Sequence, residues 1–295
     1  IQINLHGNYV YLFPTNYIDK KGETIGIVFE EDNINTIVKI SIDNQIEYPI
    51  YNVKNNIIYS LVGIPHTIVT NFSIIITLSN RITSELEEIE IPFEVNIDPI
   101  KYAKRKPKEI KEIEVRNDFR FKTNKYKPVE EYESNIQVFL KPIEGEIRDG
   151  YGVNRSRGGI LYGRIHLGID ILREIGAKIY PTWEGIVTSV SKDKKAGKYI
   201  TIYHGYGIFS VYMHLSKTFV EKGQRVSTND IIGLVGSTGM STGPHLHFGI
   251  SINNIYVDPI SFLERDYSYS NILSNGMKIS ITNKTKHQDI SYIAP

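Results

Sequence analysis

The sequence predicts an all-β protein built from two β domains in succession. Three observations carry this. Apolar and polar residues alternate with period two through the first hundred residues. The second half is a series of strand-length apolar runs separated by glycine turns, and no stretch shows a sustained 3.6-residue amphipathic period. Four segments follow: a β-sandwich-like N-terminal domain over 1–100, a charged linker over 101–138, a second β domain over 139–264, and a C-terminal extension over 265–295.

In the first segment Ile89, Ile91, Phe93, Val95 and Ile97 alternate with Glu88, Glu90, Pro92, Glu94 and Asn96, a strand with one apolar and one wet face. Pro92 lacks the N–H for a ladder and predicts an edge position or a bulge. Val38, Ile40 and Ile42 alternate likewise, Asp43-Asn44 supplies a turn, and Ile46, Tyr48 and Ile50 resume. Short strands spaced by turns are the pattern of a small sandwich.

The segment from Lys101 to Glu133 is dense in charge, with five Lys or Arg among the eight residues Lys101–Lys108, and is read as a solvated connector. Within it, Lys111–Lys122 has the spacing of a strand or hairpin. From about Phe139 the runs GIVTSV, KYITIYHG, FSVYMHL, IIGLVG and LHFGISI describe the second β domain. The Ser/Tyr/Asn-rich end is read either as one added strand around Met277–Ile281 or as a mobile tail.

Composition narrows the function classes. The 295 residues carry 34 Lys+Arg against 33 Asp+Glu, a formal charge of +1, which lacks the basic excess of a nucleic-acid binder. The chain has no uninterrupted apolar run near the ~18 residues of a membrane span. Eight His and no Cys exclude disulfides, thiolate zinc sites, iron–sulfur clusters and a cysteine nucleophile. Ile1 in place of Met leads to the expectation of a signal peptide already removed.

The histidines are not scattered evenly. RIHLGID carries His166 and Asp170, SVYMHLS carries His214, and GPHLHFG carries His245 and His247, whose i, i+2 spacing on a strand aims both rings at one face. Two imidazoles and a carboxylate with a position left open are the ligand set of a catalytic zinc. HxH also occurs in cupins, and His/Asp sets hold non-haem iron; the order here, HxxxD first and HxH last, differs from the cupin order. His6, His66, His204 and His287 are read as structural or surface residues.

Together these runs resemble the lysostaphin/LytM-type zinc metallopeptidases, peptidoglycan endopeptidases. The likeness extends from about Ile143 to Leu263 through YGVNR, HLGIDI, GAKIYPTWEGIV, KYITIYHGYG, VYMHLS, GQRV, IIGLVGSTGMSTGPHLHFGI and VDPISFL. The resemblance implies an antiparallel β peptidase domain in which His166, Asp170 and His247 bind Zn2+ and His214 and His245 are catalytic, one accepting the proton of the attacking water and the other stabilising the oxyanion or protonating the leaving amine. It further implies a zinc-dependent endopeptidase acting on peptidoglycan stem peptides or cross-bridges, an extracytoplasmic location, and room for a protein regulator. Trp183-Glu184 and Gly249 depart from the family's usual residues without touching a ligand. YSLVGIPHTIVTNFSIIITL is similar to the immunoglobulin-like modules that precede some of these peptidases, which implies an N-terminal domain that inhibits, targets or spaces.

Two features invite other readings. Gly233–Gly243 lacks the GK[ST] ending of a phosphate loop and is read as a tight turn delivering Pro244 and the HxH strand, with Gly243 taking the unusual backbone angles. GAKIYPTWEGIV and GQRVSTNDIIGLVG resemble half-motifs of biotinyl carriers, but no lysine sits in an attachment motif. The competing function class is a catalytically silent wall-binding or amidase-activating module on the same fold.

Overall fold

The computed structural model of the protein describes residues 9–13, 17–18, 21–31, 35–54, 56–66, 68, 70–96, 138–157, 160–280 and 291–293. The connector over 101–137, with its expected Lys111–Lys122 strand, lies outside the described residues, as do His6 and His287.

In chain order the first strands are β1 (Tyr9–Phe13), β2 (Tyr17–Ile18), β3 (Thr24–Glu30), β4 (Asn35–Ile42), β5 (Ile46–Tyr48), β6 (Tyr51–Lys54), β7 (Ile57–Gly63), β8 (Phe72–Asn80) and β9 (Leu86–Val95). Beyond the connector come β10 (Glu146–Asp149), β11 (Asn154–Arg157), β12 (Ile160–Ile165), β13 (Ile169–Leu172), β14 (Lys178–Ile179), β15 (Gly185–Asp193), β16 (Gly197–Tyr203) and β17 (Ile208–Leu215). The rest are β18 (Lys217–Thr218), β19 (Arg225–Val226), β20 (Gly233–Leu234), β21 (His245–Ile252), β22 (Ile255–Val257), helices α1 (Pro259–Leu263) and α2 (Tyr269–Asn275), then β23 (Met277–Ser280) and β24 (Ser291–Ile293). The protein is thus mainly β. Among the described residues no helix is long and apolar enough to cross a membrane.

The N-terminal region is a sandwich of two sheets, ordered β24-β23-β1-β3-β7-β6 and β2-β9-β8-β4-β5. Their facing sides share a core of β-branched and aromatic residues including Leu12, Ile27, Phe29, Ile40, Ile74, Ile91 and Phe93. The β4 alternation is not as the sequence suggests. A register shift between Ile37 and Lys39 turns Ile37 into the core and leaves Val38 exposed. Pro92 pairs Ser73 of β8, and β2 meets the other side of β9 only at Glu94 and Val95.

The segment 265–295 does more than trail from the second domain. β23 pairs antiparallel with β1, and β24 with β23, so the chain's end completes the sheet that its beginning started. The two regions also share one core: Tyr11, Val28, Tyr59 and Leu61 pack with Ile252, Val257, Phe262, Tyr267 and Ile272. Polar contacts lock the same seam. Tyr59 donates to the Tyr267 carbonyl (2.9 Å), Tyr267 to Thr24 O (3.0 Å), Asp258 N to Gly22 O (2.8 Å), and Arg265 pairs with Glu23. Asp258 also caps α1, its carboxylate accepting from Ile260 N with Pro259 at the first helical position, so VDP both starts the helix and docks it.

The second region is organised around the sheet β10-β13-β21-β17-β16-β15-β19. One face, with Ile169, Ile171, Tyr212, Leu246, Phe248 and Ile250, is core. The opposite face of β13, β21 and β17 carries the polar constellation.

Candidate metal centre and catalytic site

Strand pairing assembles the site. Asp170 of β13 lies directly opposite His247 of β21, and Leu172 opposite His245. Because Ile169 and Ile171 are committed to the core, period two puts Asp170 on the other face, where His245 and His247 already point. His166 arrives from the turn before β13, anchored by reciprocal bonds with the earlier β10–β11 connection: Gly152 N donates to His166 O (2.8 Å) and His166 N to Val153 O (2.9 Å).

Three donor atoms converge. His166 Nε2 is 3.1 Å from Asp170 Oδ1 and 3.0 Å from His247 Nδ1, and His247 Nδ1 is 2.9 Å from Asp170 Oδ1. His166 Nδ1 donates to Gly150 O (2.9 Å), the contact that would present the Nε2 lone pair to a bound metal. Burial pushes the Asp170 carboxyl up, but hydrogen bonds from His166 and His247 and their charge more than reverse this and hold it well below the usual carboxylate range. Bonds of ~2.0–2.2 Å to nitrogen and oxygen around a tetrahedral ion separate the ligand atoms by about 3.3 Å. The trio is within a few tenths of an ångström of that spacing, and its donor set of two imidazoles and one carboxylate fits zinc.

His214 and His245 flank the trio. Their rings are 4.8 Å apart, and His214 is 6.1 Å from His247. Each places its Nδ1 at a carbonyl, His214 at that of Thr238 (2.8 Å) and His245 at that of Gly243 (2.8 Å), and His245 Nε2 lies 3.7 Å from Asp170 Oδ1. His214 reaches this face through a bulge. The β16–β17 register shifts between Lys198 and Ile200, and His214 adopts φ 65°.

All five residues singled out in the sequence thus meet in one place and are buried. Three contributors were not singled out. Gly168 is one, since a Cβ there would lie 2.5 Å from Phe248 O and 2.9 Å from His247 Nε2. Arg148, whose Nη2 lies 3.5 Å from Asp170 Oδ2, and the carbonyls of Gly150, Thr238 and Gly243 are the others. The glycine of HLGID was visible in the motif; no sequence signal marks Arg148 or the carbonyls. In the glycine-rich turn it is Gly239, not Gly243, that takes the left-handed conformation: its φ is 74°, and a Cβ would sit 2.2 Å from Gly197 N, whereas Gly243 has open space. A Cβ at Gly249 would fall 3.0 Å from Val211 Cγ1 and 3.2 Å from Leu167 O, so a side chain there would need these neighbours to give by a few tenths of an ångström.

His204 lies in a separate buried network. Its Nδ1 is 2.8 Å from Glu184 O and its Nε2 2.7 Å from Ser210 Oγ, which donates on to Tyr212 OH. Burial pulls its pKa down to about 4, against a smaller upward effect of the Glu184 carbonyl.

Residues 164–259 match the model of peptidase family M23. The peptidoglycan DD-endopeptidase ShyB of Vibrio cholerae is 36% identical over 140 residues, 47% of this chain and 32% of that protein. The peptidoglycan DD-endopeptidase ShyA of the same organism is 42% identical over 87 residues, 30% of this chain and 20% of that protein. The chain therefore spans about a third or less of the length of these curated relatives. The crystal structure of a candidate M23 peptidase from Pseudomonas aeruginosa superposes with a TM-score of 0.51 at 22% identity, covering 81% of this chain and 92% of that one. That share exceeds the second region alone, so the likeness of fold takes in the N-terminal sheets as well.

Proposed function

We propose, from the match of residues 164–259 to the model of peptidase family M23, that the protein is a zinc-dependent endopeptidase that hydrolyses peptidoglycan peptides in cell-wall remodelling, outside the cytoplasm. The observation that carries this is the convergence of His166 Nε2, Asp170 Oδ1 and His247 Nδ1 beside two further imidazoles.

His166, Asp170 and His247 would hold the zinc. Zinc in such a site polarises a carbonyl oxygen and brings the pKa of water from ~15.7 towards ~7. The protein supplies the rest. The Gly150 carbonyl fixes the His166 tautomer, and the buried Asp170 remains ionised at neutral pH. His214 and His245 have Nδ1 tied to backbone carbonyls, which assigns proton transfer to Nε2. One takes the proton released as water attacks the peptide carbonyl; the other stabilises the oxyanion or protonates the amine that leaves. Unlike a phenol or an ammonium, an imidazole does both near pH 7.

The names of the similar Vibrio cholerae proteins make a D,D-bond of the cross-link the first bond to test. Purified cross-linked peptidoglycan incubated with the chain should release peptides whose masses identify that bond, and a chelator should abolish release. Binding to the wall with no peptide released would instead favour a silent module on this fold.

A further inference from the structure

We propose that Arg148 is a positioning residue for Asp170: it engages the carboxylate's second oxygen, so that Oδ1 alone is presented to the metal-binding trio. This rests on the reading of His166, Asp170 and His247 as zinc ligands.

The argument starts from the cost of burying Asp170, which is 1% exposed. A buried carboxylate is tolerated when its oxygens are met by hydrogen bonds and compensating charge. Here the two oxygens have different surroundings. Oδ1 lies within 2.9 Å of His247 Nδ1, 3.1 Å of His166 Nε2 and 3.7 Å of His245 Nε2. Oδ2 lies 3.5 Å from the Arg148 guanidinium. With one oxygen facing three imidazoles and the other a cation, the carboxylate cannot rotate without exchanging an ion pair for an imidazole edge.

The backbone is built to deliver this contact. β10 is the outermost strand of the sheet, and its pairing with β13 steps from Ile147↔Ile171 to Asp149↔Asp170, so that Arg148 and Asp149 together stand opposite the single residue Asp170. Such a bulge re-aims a side chain at the margin of a sheet. The guanidinium is in turn held from behind by Asp149, with Nε 3.3 Å from Oδ2. Asp149 thus orients Arg148, Arg148 orients Asp170, and Asp170 faces the trio. Arginine suits this place better than lysine, because a planar guanidinium engages two carboxylates with different nitrogens while an ammonium acts as one point charge.

Outer partners of metal ligands typically contribute ten- to a hundredfold in affinity. In the full chain, zinc affinity measured by chelator competition should fall by about that factor in Arg148→Met and recover most of the way in Arg148→Lys, which restores the charge. Turnover should fall more at limiting zinc than at saturating zinc. Melting of the metal-free chain should fall in Arg148→Met, because the buried Asp170 carboxylate loses a compensating charge, and less in Arg148→Lys, which keeps it; Arg148→Gln gives a second variant of near-equal reach. Tight zinc binding by the parent with equal affinity in Arg148→Met and Arg148→Gln would overturn the role of Arg148 alone. A parent chain that binds no zinc would overturn the site reading, and this proposal with it.

Discussion

Met213 and His214 are neighbours in the chain, yet both side chains lie on the same side of β17. Met213 pairs with His247 and packs with Val211 and Tyr151, His214 lies with its ring tilted 52° and 4.8 Å from that of His245, and Leu215 then returns to the core. Strict alternation would have sent His214 into the core and Leu215 to the site. The bulge and the left-handed backbone at His214 (φ 65°) make the difference, at the cost of a conformation that L-residues other than glycine and asparagine seldom adopt.

That strain separates two substitutions. His214→Gly relieves it and His214→Ala does not, so the glycine variant should be the more stable of the two by about 1 kcal/mol in chemical denaturation. Both should lose peptide release. An alanine variant as stable as the glycine one would show that the backbone at this position is not strained.

Gly168 sits where a methyl group would press on both Phe248 O and the His247 ring. Gly168→Ala should therefore displace His247 and weaken zinc binding at least tenfold, by analogy with the loss of an outer partner. Chelator competition reads this directly; parent-like affinity would mean that the ring yields without leaving its place.

His204 gives the fold a pH dependence. Its pKa in the folded state is pulled to about 4 from an ordinary 6.5 by burial, so the unfolded chain binds the extra proton between those values. The stability it contributes is complete above pH 6.5 and is lost as pH falls towards 4, up to about 3 kcal/mol at 1.36 kcal/mol per unit. Urea unfolding of chelated protein at pH 7.5 and pH 5 should show this loss. His204→Gln should reduce it; His66, also pulled down to about 4 by burial and by Lys21, adds slope of the same sign.

A chain starting at Val138 would lose Val28, Tyr59 and Leu61 from the shared core and leave β23 without β1. Each such side chain contributes about 1.5–3 kcal/mol on burial. The shortened protein should melt well below the full chain and bind a hydrophobic dye, and any drop in turnover should track unfolding. A stable, fully folded product would contradict the single shared core.

Much of this was legible in the sequence, for physical reasons. Period-two patterning marked the strands, and the HxH spacing put His245 and His247 on one face because a strand permits little else, while Asp170 joins them through the β13–β21 register. What the sequence did not show depends on register. The bulges at Val38, Arg148 and His214 each move a side chain by one position, and no residue type announces them. The return of β23 to β1 is a pairing between residues more than 260 positions apart, which local pattern cannot see. The choice of Gly239 over Gly243 for the left-handed turn follows from the approach of Gly197, again a contact distant in sequence.

The central claim divides the five site residues into three that hold zinc and two that move protons. The most direct measurement is bound zinc, by elemental analysis, beside peptide release from purified peptidoglycan for His247→Ala, His214→Ala and His245→Ala. The account predicts that His247→Ala loses both metal and cleavage, while His214→Ala and His245→Ala retain about one zinc per chain and lose cleavage. Full cleavage by His214→Ala, or full zinc in His247→Ala, would contradict it.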